Sequence, residues 1–199
     1  MKKISARAIT LTAVMGAVAF ILQFFEITIP IIPAFIKLDF SDLPALIAAF
    51  ALGPVSGTIV CAIKNLLHLT TSSSAGVGEI ANFVFAAAFV IPAGLLYRRS
   101  HSKKGALIAS LAGAAAMAIV CVPVNYFVVY PLYYSVLGFP EVAVLGMYQA
   151  ILPSIKGIFE ALLVFNLPFT FVKGLLVAAI AMLIYKPLSP LLHGRRGKA

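Results

Sequence analysis

Apolar residues in this chain come in long runs, broken at a few points by short polar or proline-rich stretches. The runs lie near 8–25, 43–53, 54–70, 79–97, 105–127 and 167–185. None alternates with the period of two expected of a half-buried strand, and most approach the ~20 residues that a bilayer-crossing helix needs. The pieces 43–53 and 54–70 could be joined into one long run. Gly53-Pro54 separates them, because proline lacks an N–H and disfavours helical geometry in the residue before it. The first piece is short: at 1.5 Å per residue it spans roughly 16 Å of a ~30 Å hydrocarbon core. It therefore either starts earlier or lies beside a cavity instead of facing lipid. The segment 128–166 is apolar too, but it is broken by Pro131, Pro140 and Pro153 and carries Glu141, Lys156 and Glu160. It is expected to be an outer loop with one or two short interfacial helices.

Composition turns this pattern into a solvent. Of the 199 residues, 62% are hydrophobic and 11% charged, against about half and a quarter in soluble domains. The expected fold class is an all-α integral membrane protein with six transmembrane helices in a single domain over 1–199. No small-residue cleavage site follows the first run, which reads as a retained span and not a signal peptide. Cys61 and Cys121 stand alone in apolar surroundings and read as buried thiols, with neither a disulfide nor a metal site supported.

Charge then orients the spans. Lys2, Lys3 and Arg7 precede the first run. Arg98, Arg99, Lys103 and Lys104 fill one gap, and Lys186, Arg195, Arg196 and Lys198 close the chain. These clusters hold eleven of the fifteen basic residues and flank apolar runs, the pattern of cytoplasmic loops. Between cytoplasmic clusters the number of crossings is even. That requires four spans before Arg98, two after Lys104, and both termini in the cytoplasm. The same clustering speaks against nucleic acid as the partner of the net +9 charge.

Candidate chemistry lies in the polar residues at membrane depth, where a charge costs ~3 kcal/mol even on lenient scales. Lys64 and His68, four apart in "IKNLLH", share a helix face with Asn65 nearby. They could snorkel, pair with another helix or line a cavity. Glu79 and Asn82 open the fourth span, where Glu79 could also serve as a first-turn acid on the helix dipole. Asn125 ends the fifth span among Tyr126, Phe127, Tyr130, Tyr133 and Tyr134, a cluster that could equally be an interfacial aromatic belt. Lys173 lies thirteen residues before Lys186, roughly 20 Å along a helix, too deep for an ordinary loop lysine. In "FIKLDFSDLPALI", Ser41 or Asp42 can cap the second span, with Pro44 in its first turn. That leaves Lys37 and Asp39 on an outward loop. With the termini inside, these residues gather near the outer ends of their spans, as in a small-molecule pocket with apolar walls and a few polar anchors.

The string "KLDFSDLPALIAAFALGPVSGTIVCAIKNLLH", followed by "GEIANF", resembles the substrate-binding S components of energy-coupling-factor (ECF) vitamin transporters, in particular the riboflavin-specific ones. The likeness is strongest over 36–98, and "NYFVVYPLYY" and "FVKG" extend it. It implies a six-helix fold and a vitamin, riboflavin, bound near the outer face under the loop that joins the first two helices. It implicates Lys37, Leu38, Asp39, Phe40, Lys64, Glu79, Asn82, Asn125, Tyr126 and Lys173 in binding. Lys173 would meet a carbonyl of the flavin ring. No cofactor or metal is implied beyond riboflavin as transported ligand. No phosphate loop is present, so ATP hydrolysis would come from partners: a membrane coupling subunit and two cytoplasmic ATPases. Ala8, Thr12 and Gly16, with Ala13 and Ala17, put small residues four apart on the first span, which suits either close docking in lipid or packing within the chain. The same fold with another vitamin is an alternative. An intramembrane enzyme is a further one, though no HExxH, GxSxG or paired carboxylates support it.

Overall fold

The computed structural model describes residues 5–193. The basic residues Lys2, Lys3, Arg195, Arg196 and Lys198, and the side chain of Lys186, lie outside the described residues. Helices run as α1 (Ala6–Gln23), α2 (Asp42–Ala51), α3 (Pro54–His68), α4 (Val77–Tyr97), α5 (Lys103–Val124), α6 (Tyr130–Val136), α7 (Glu141–Gln149), α8 (Ile158–Ala161) and α9 (Leu167–His193). Between α1 and α2, β1 (Ile27–Thr28) pairs antiparallel with β2 (Lys37–Leu38), aligning Ile27 with Leu38 and Thr28 with Lys37. Among the described residues, four helical stretches are long and apolar enough to cross a membrane: Ala6–Gln23, Val77–Tyr97, Lys103–Val136 and Ile158–Ile184.

α2 has ten residues and is buried from Pro44 to Phe50, enclosed by α1, α3, α4 and α9. Its brevity is tolerable because protein, not lipid, surrounds it. α3 follows after the expected break. Gly53 takes φ 111°, a conformation closed to side chains, and Pro54 starts α3 where a missing N–H leaves no bond unmade. A Cβ on Gly53 would also lie 2.3 Å from an Arg98 guanidinium nitrogen. Gly53→Ala should therefore lower stability by about 1–3 kcal/mol, read as a drop in the thermal unfolding midpoint.

Two expectations change here. The segment 128–166 is not mainly loop. The turn Asn125–Val129 is a π-helix that carries α5 directly into α6, and a second π-turn, Leu162–Asn166, joins α8 to α9. In each, an N–H reaches back five residues, Tyr130 to the Asn125 carbonyl and Leu167 to the Leu162 carbonyl. Pro131 and Pro168 come two residues after these turns. A proline ring clashes with the carbonyl four residues back in a regular helix, and the wider turn makes room for it. Pro131, expected to break the segment 128–166, is thus absorbed inside a continuous helical stretch, while Pro140 and Pro153 do lie outside the helices.

The small residues of α1 also divide. Thr12 and Gly16 are buried, and a Cβ on Gly16 would come within 2.6 Å of Ile63. That part of the stripe seats α1 on α3 and is not an outward docking face. Ala8 is half-buried, while Ala13 and Ala17 are exposed on the other side.

Candidate functional site

At one end of the bundle, α1, the hairpin, α4, the two π-turns, α7 and α9 enclose a cavity of ≈ 430 Å³. Six of the ten residues singled out as binding residues line it: Lys37, Asp39, Glu79, Asn82, Asn125 and Lys173. The other four, Leu38, Phe40, Lys64 and Tyr126, are off its wall. Leu38 is buried, and Phe40 packs on the core. Tyr126 is exposed and meets Phe127 and Phe159 edge-on, as in an aromatic belt.

Lys64 differs most from its expected place. It is fully buried beneath the site, 2.6 Å from an Asp42 carboxylate oxygen, and it also donates to Ser41 Oγ. Asp42 and Ser41 are correspondingly not caps: neither closes the N-terminus of α2 with its side chain. Lys64 rises from α3 beside α2, and a buried ammonium outcompetes a helix N–H for a carboxylate because both charges are out of water.

From there the charges continue to the cavity floor. Ser41 donates its N–H (2.8 Å) and its hydroxyl to Asp39 Oδ1, and Lys173 Nζ lies 2.7 Å from Asp39 Oδ2 and 3.7 Å from Asp42 Oδ2. Two lysines and two aspartates from α2, α3, α9 and the segment after β2 therefore balance within one buried cluster. Burial alone would raise the Asp39 carboxyl, but Lys173 and Lys64 hold it well below the usual carboxylate range. Asp39 has both oxygens occupied by protein. Lys173, with three N–H groups, still has donors for a ligand. Lys37 sits higher and more exposed, paired across the hairpin with Glu26, an arrangement worth little to stability.

The opposite wall is built around Glu79, in the first turn of α4. His68 Nδ1 lies 2.8 Å from Oε1, and Ser72 and Ser74 donate to Oε2 at 2.8 and 3.2 Å. The Ser72 and Ser74 hydroxyls in turn accept N–H bonds from Gly76 and Gly78, which folds the turn before α4 around the carboxylate. His68 and Lys64, one turn apart on α3, thus serve different partners.

Several lining residues lay outside the sequence reading. Asn166, Thr170 and Lys173 follow the i, i+4, i+7 spacing of one helix face, so the depth of Lys173 was a usable pointer to the other two. Gln23 ends α1 on its buried side. Gln23 Oε1 and Asn82 Oδ1 are buried acceptors with no protein donor. Such atoms are costly unless something else donates to them. Apolar walls come from Phe35, Phe85, Met117 and Phe169. The whole suits a flat or partly apolar molecule that carries hydrogen-bond donors and at least one acceptor. Among the described residues no cluster of three metal-binding side chains occurs.

Comparison with known proteins agrees with this architecture. Residues 7–185 match the family model described as ECF transporter, substrate-specific component. The chain is 32% identical to the riboflavin transporter FmnP of Bacillus subtilis (strain 168), covering 96% of both chains. It is 34% identical to the riboflavin transporter RibU of Staphylococcus aureus (strain TCH60), covering 92% of this chain and 90% of that one. A solved S component of a bacterial ECF transporter superposes with a TM-score of 0.73 at 32% identity, covering 93% of this chain and 96% of the other. These relatives are transporters, not enzymes. The chain belongs to the substrate-specific components of ECF transporters.

Proposed function

We propose that this chain is the riboflavin-binding S component of an ECF vitamin uptake transporter in the bacterial cell membrane. The observation that carries the reading is the cavity itself. Its ≈ 430 Å³ falls in the ~300–1,000 Å³ range of small-molecule sites. It pairs aromatic walls with a buried lysine on one side and unpartnered acceptors on the other. An isoalloxazine ring has apolar faces for Phe35, Phe85 and Phe169, and carbonyls that can accept from Lys173. Ribityl hydroxyls supply the donors that Asn82 Oδ1 and Gln23 Oε1 lack, with Asn125 and Glu79 beside them on the cavity wall. Lys37 and Asp39 border the ligand from the hairpin side. Leu38, Phe40 and Lys64 act from behind by fixing that segment on the bundle.

In this reading α1, α2, α3, α4, α5 and α9 form six spans with both termini cytoplasmic, and α2 and α3 cross as short helices inside the protein. The cavity then opens outward. Energy for release inward comes from a membrane coupling subunit and two cytoplasmic ATPases. The exposed Ala13 and Ala17, with Ala8, are the part of the α1 stripe free to meet them. Protein purified from its native membrane should be yellow, with flavin absorbance bands. After flavin removal, riboflavin titration should show saturable one-site heat. A colourless preparation that gives no heat with riboflavin refutes the assignment, and heat with a different vitamin would reassign it.

A further inference from the structure

At the cavity wall, three polar side chains from three separate elements close into a ring, Tyr130 and Asn166 on the wall and Tyr148 behind them. Tyr148 on α7 donates to Asn166 Oδ1 at 2.7 Å, Asn166 Nδ2 donates to the Tyr130 hydroxyl at 3.3 Å, and the two tyrosine hydroxyls bond to each other. The amide sets the direction of every bond. Its oxygen only accepts, so the Tyr148 hydrogen goes to Asn166. The Tyr130–Tyr148 bond must then use the Tyr130 hydrogen, leaving the Tyr130 oxygen to accept from Nδ2. No tyrosine hydrogen is left over. Asn166 retains one N–H and one lone pair, and it lines the cavity.

Tyr148 itself does not line the cavity and is completely buried. Burial pushes its phenol well above the ordinary tyrosine range, so it remains a donor at any physiological pH. Phe35, two residues before β2 in the hairpin loop, stands edge-on to both tyrosines, with ring centroids 6.4 Å from Tyr130 and 5.7 Å from Tyr148. The ring also ties together the two π-turns: Tyr130 follows one and Asn166 ends the other.

We infer that Tyr148 is a positioning residue: through the Tyr130–Tyr148–Asn166 ring it fixes which way the Asn166 amide faces the ligand. The ring takes up the edge of the amide where oxygen and N–H lie side by side, so Asn166 keeps one N–H and one oxygen lone pair on opposite sides of the group, and a single ligand acceptor or donor in the cavity can meet whichever of them faces it. The inference rests on the cavity being the vitamin site, and its test separates the two. In protein labelled with nitrogen-15 at asparagine, the Asn166 side-chain amide signal is identified by its loss in Asn166→Ala. With no riboflavin present, that signal should shift in Tyr148→Phe, and an unmoved signal overturns the ring. For binding, Tyr148→Phe should weaken riboflavin about tenfold in the wild-type background, as expected for one buried hydrogen bond, and not at all in Asn166→Ala. Equal losses in both backgrounds would mean that Tyr148 acts only through packing, which overturns the inference. If wild-type protein binds no riboflavin, the vitamin assignment falls while the amide signal still decides the ring. Should Tyr148→Phe fail to fold, Tyr130→Phe breaks the same ring and is read by the same signal.

Discussion

Lys173→Ala should lose most riboflavin affinity and a large part of the protein's stability together. Two effects combine. Asp39 and Asp42 face Lys173 at 2.7 and 3.7 Å in a buried cluster, and removing one partner of a buried ion pair costs about 3–5 kcal/mol because it strands the other charge. Lys173 also offers its remaining N–H groups to the cavity, and losing a hydrogen bond from a charged donor costs a further ~1.5–3 kcal/mol, about ten- to a hundredfold in affinity. The double variant Asp39→Asn/Lys173→Met separates the two. It removes both charges of the pair, so thermal stability should largely return while affinity stays low. Isothermal titration reads the second quantity. If the double variant binds as tightly as wild type, Lys173 has only a structural role and the proposed ligand contact is wrong.

Lys64 should behave differently although it is at least as buried. Lys64→Met leaves Asp42 with its Oδ1 uncompensated and should destabilise by a comparable ~3–5 kcal/mol. It also frees Asp42 to compete with Asp39 for Lys173, so the single variant should bind somewhat less well. In Lys64→Met/Asp42→Leu both effects disappear. Stability should recover, since apolar replacements for a buried pair are often neutral or better. Affinity should lie within about threefold of wild type, because Lys64 does not reach the cavity wall and Asp39 keeps its own lysine. A large affinity loss in a stably folded double variant would place Lys64 at the ligand after all. The contrast between the two lysines is the sharpest test of the site, since both stood out in the sequence for the same reason.

That reason shows how far sequence could go. A lysine at membrane depth must have a partner or a wet cavity, and both lysines have one. Which of the two applies depends on what the facing helix presents. Ser41 and Asp42 face Lys64 because α2 is packed against α3 around a tight Gly53-Pro54 turn. Local chemistry alone favoured a helix cap for Ser41 and Asp42, since capping uses only neighbouring residues. The buried ammonium from twenty-two residues away was invisible to that argument. Glu79 and His68 illustrate the same limit. Their pairing depends on the turn at Ser72–Ser74 bringing the start of α4 back over the end of α3.

The prolines were misleading in a different way. Pro131 and Pro168 carry a strong local preference against regular helix, which for Pro131 favours a loop on local grounds. A π-turn satisfies the same steric demand without ending the helix, at the cost of one less favourable turn. Packing from both sides supports that cost here: Asn125, Val129, Leu162 and Phe165 are buried.

The sequence by itself determined the solvent, the helical class, the Gly53-Pro54 break and the family, because these follow from hydropathy, length and contiguous strings of residues. It also brought Lys37, Asp39, Glu79, Asn82, Asn125 and Lys173 into one expected region, since charge at membrane depth is too costly to be idle. Only the tertiary structure decided which charges answer one another and which face the cavity. The ring of Tyr130, Tyr148 and Asn166, the Lys64–Asp42 pair and the inward turn of Thr12 and Gly16 all join residues distant in the chain. A side chain's partner in such places is set by helix rotation and crossing, a few ångströms of geometry that no local spacing encodes.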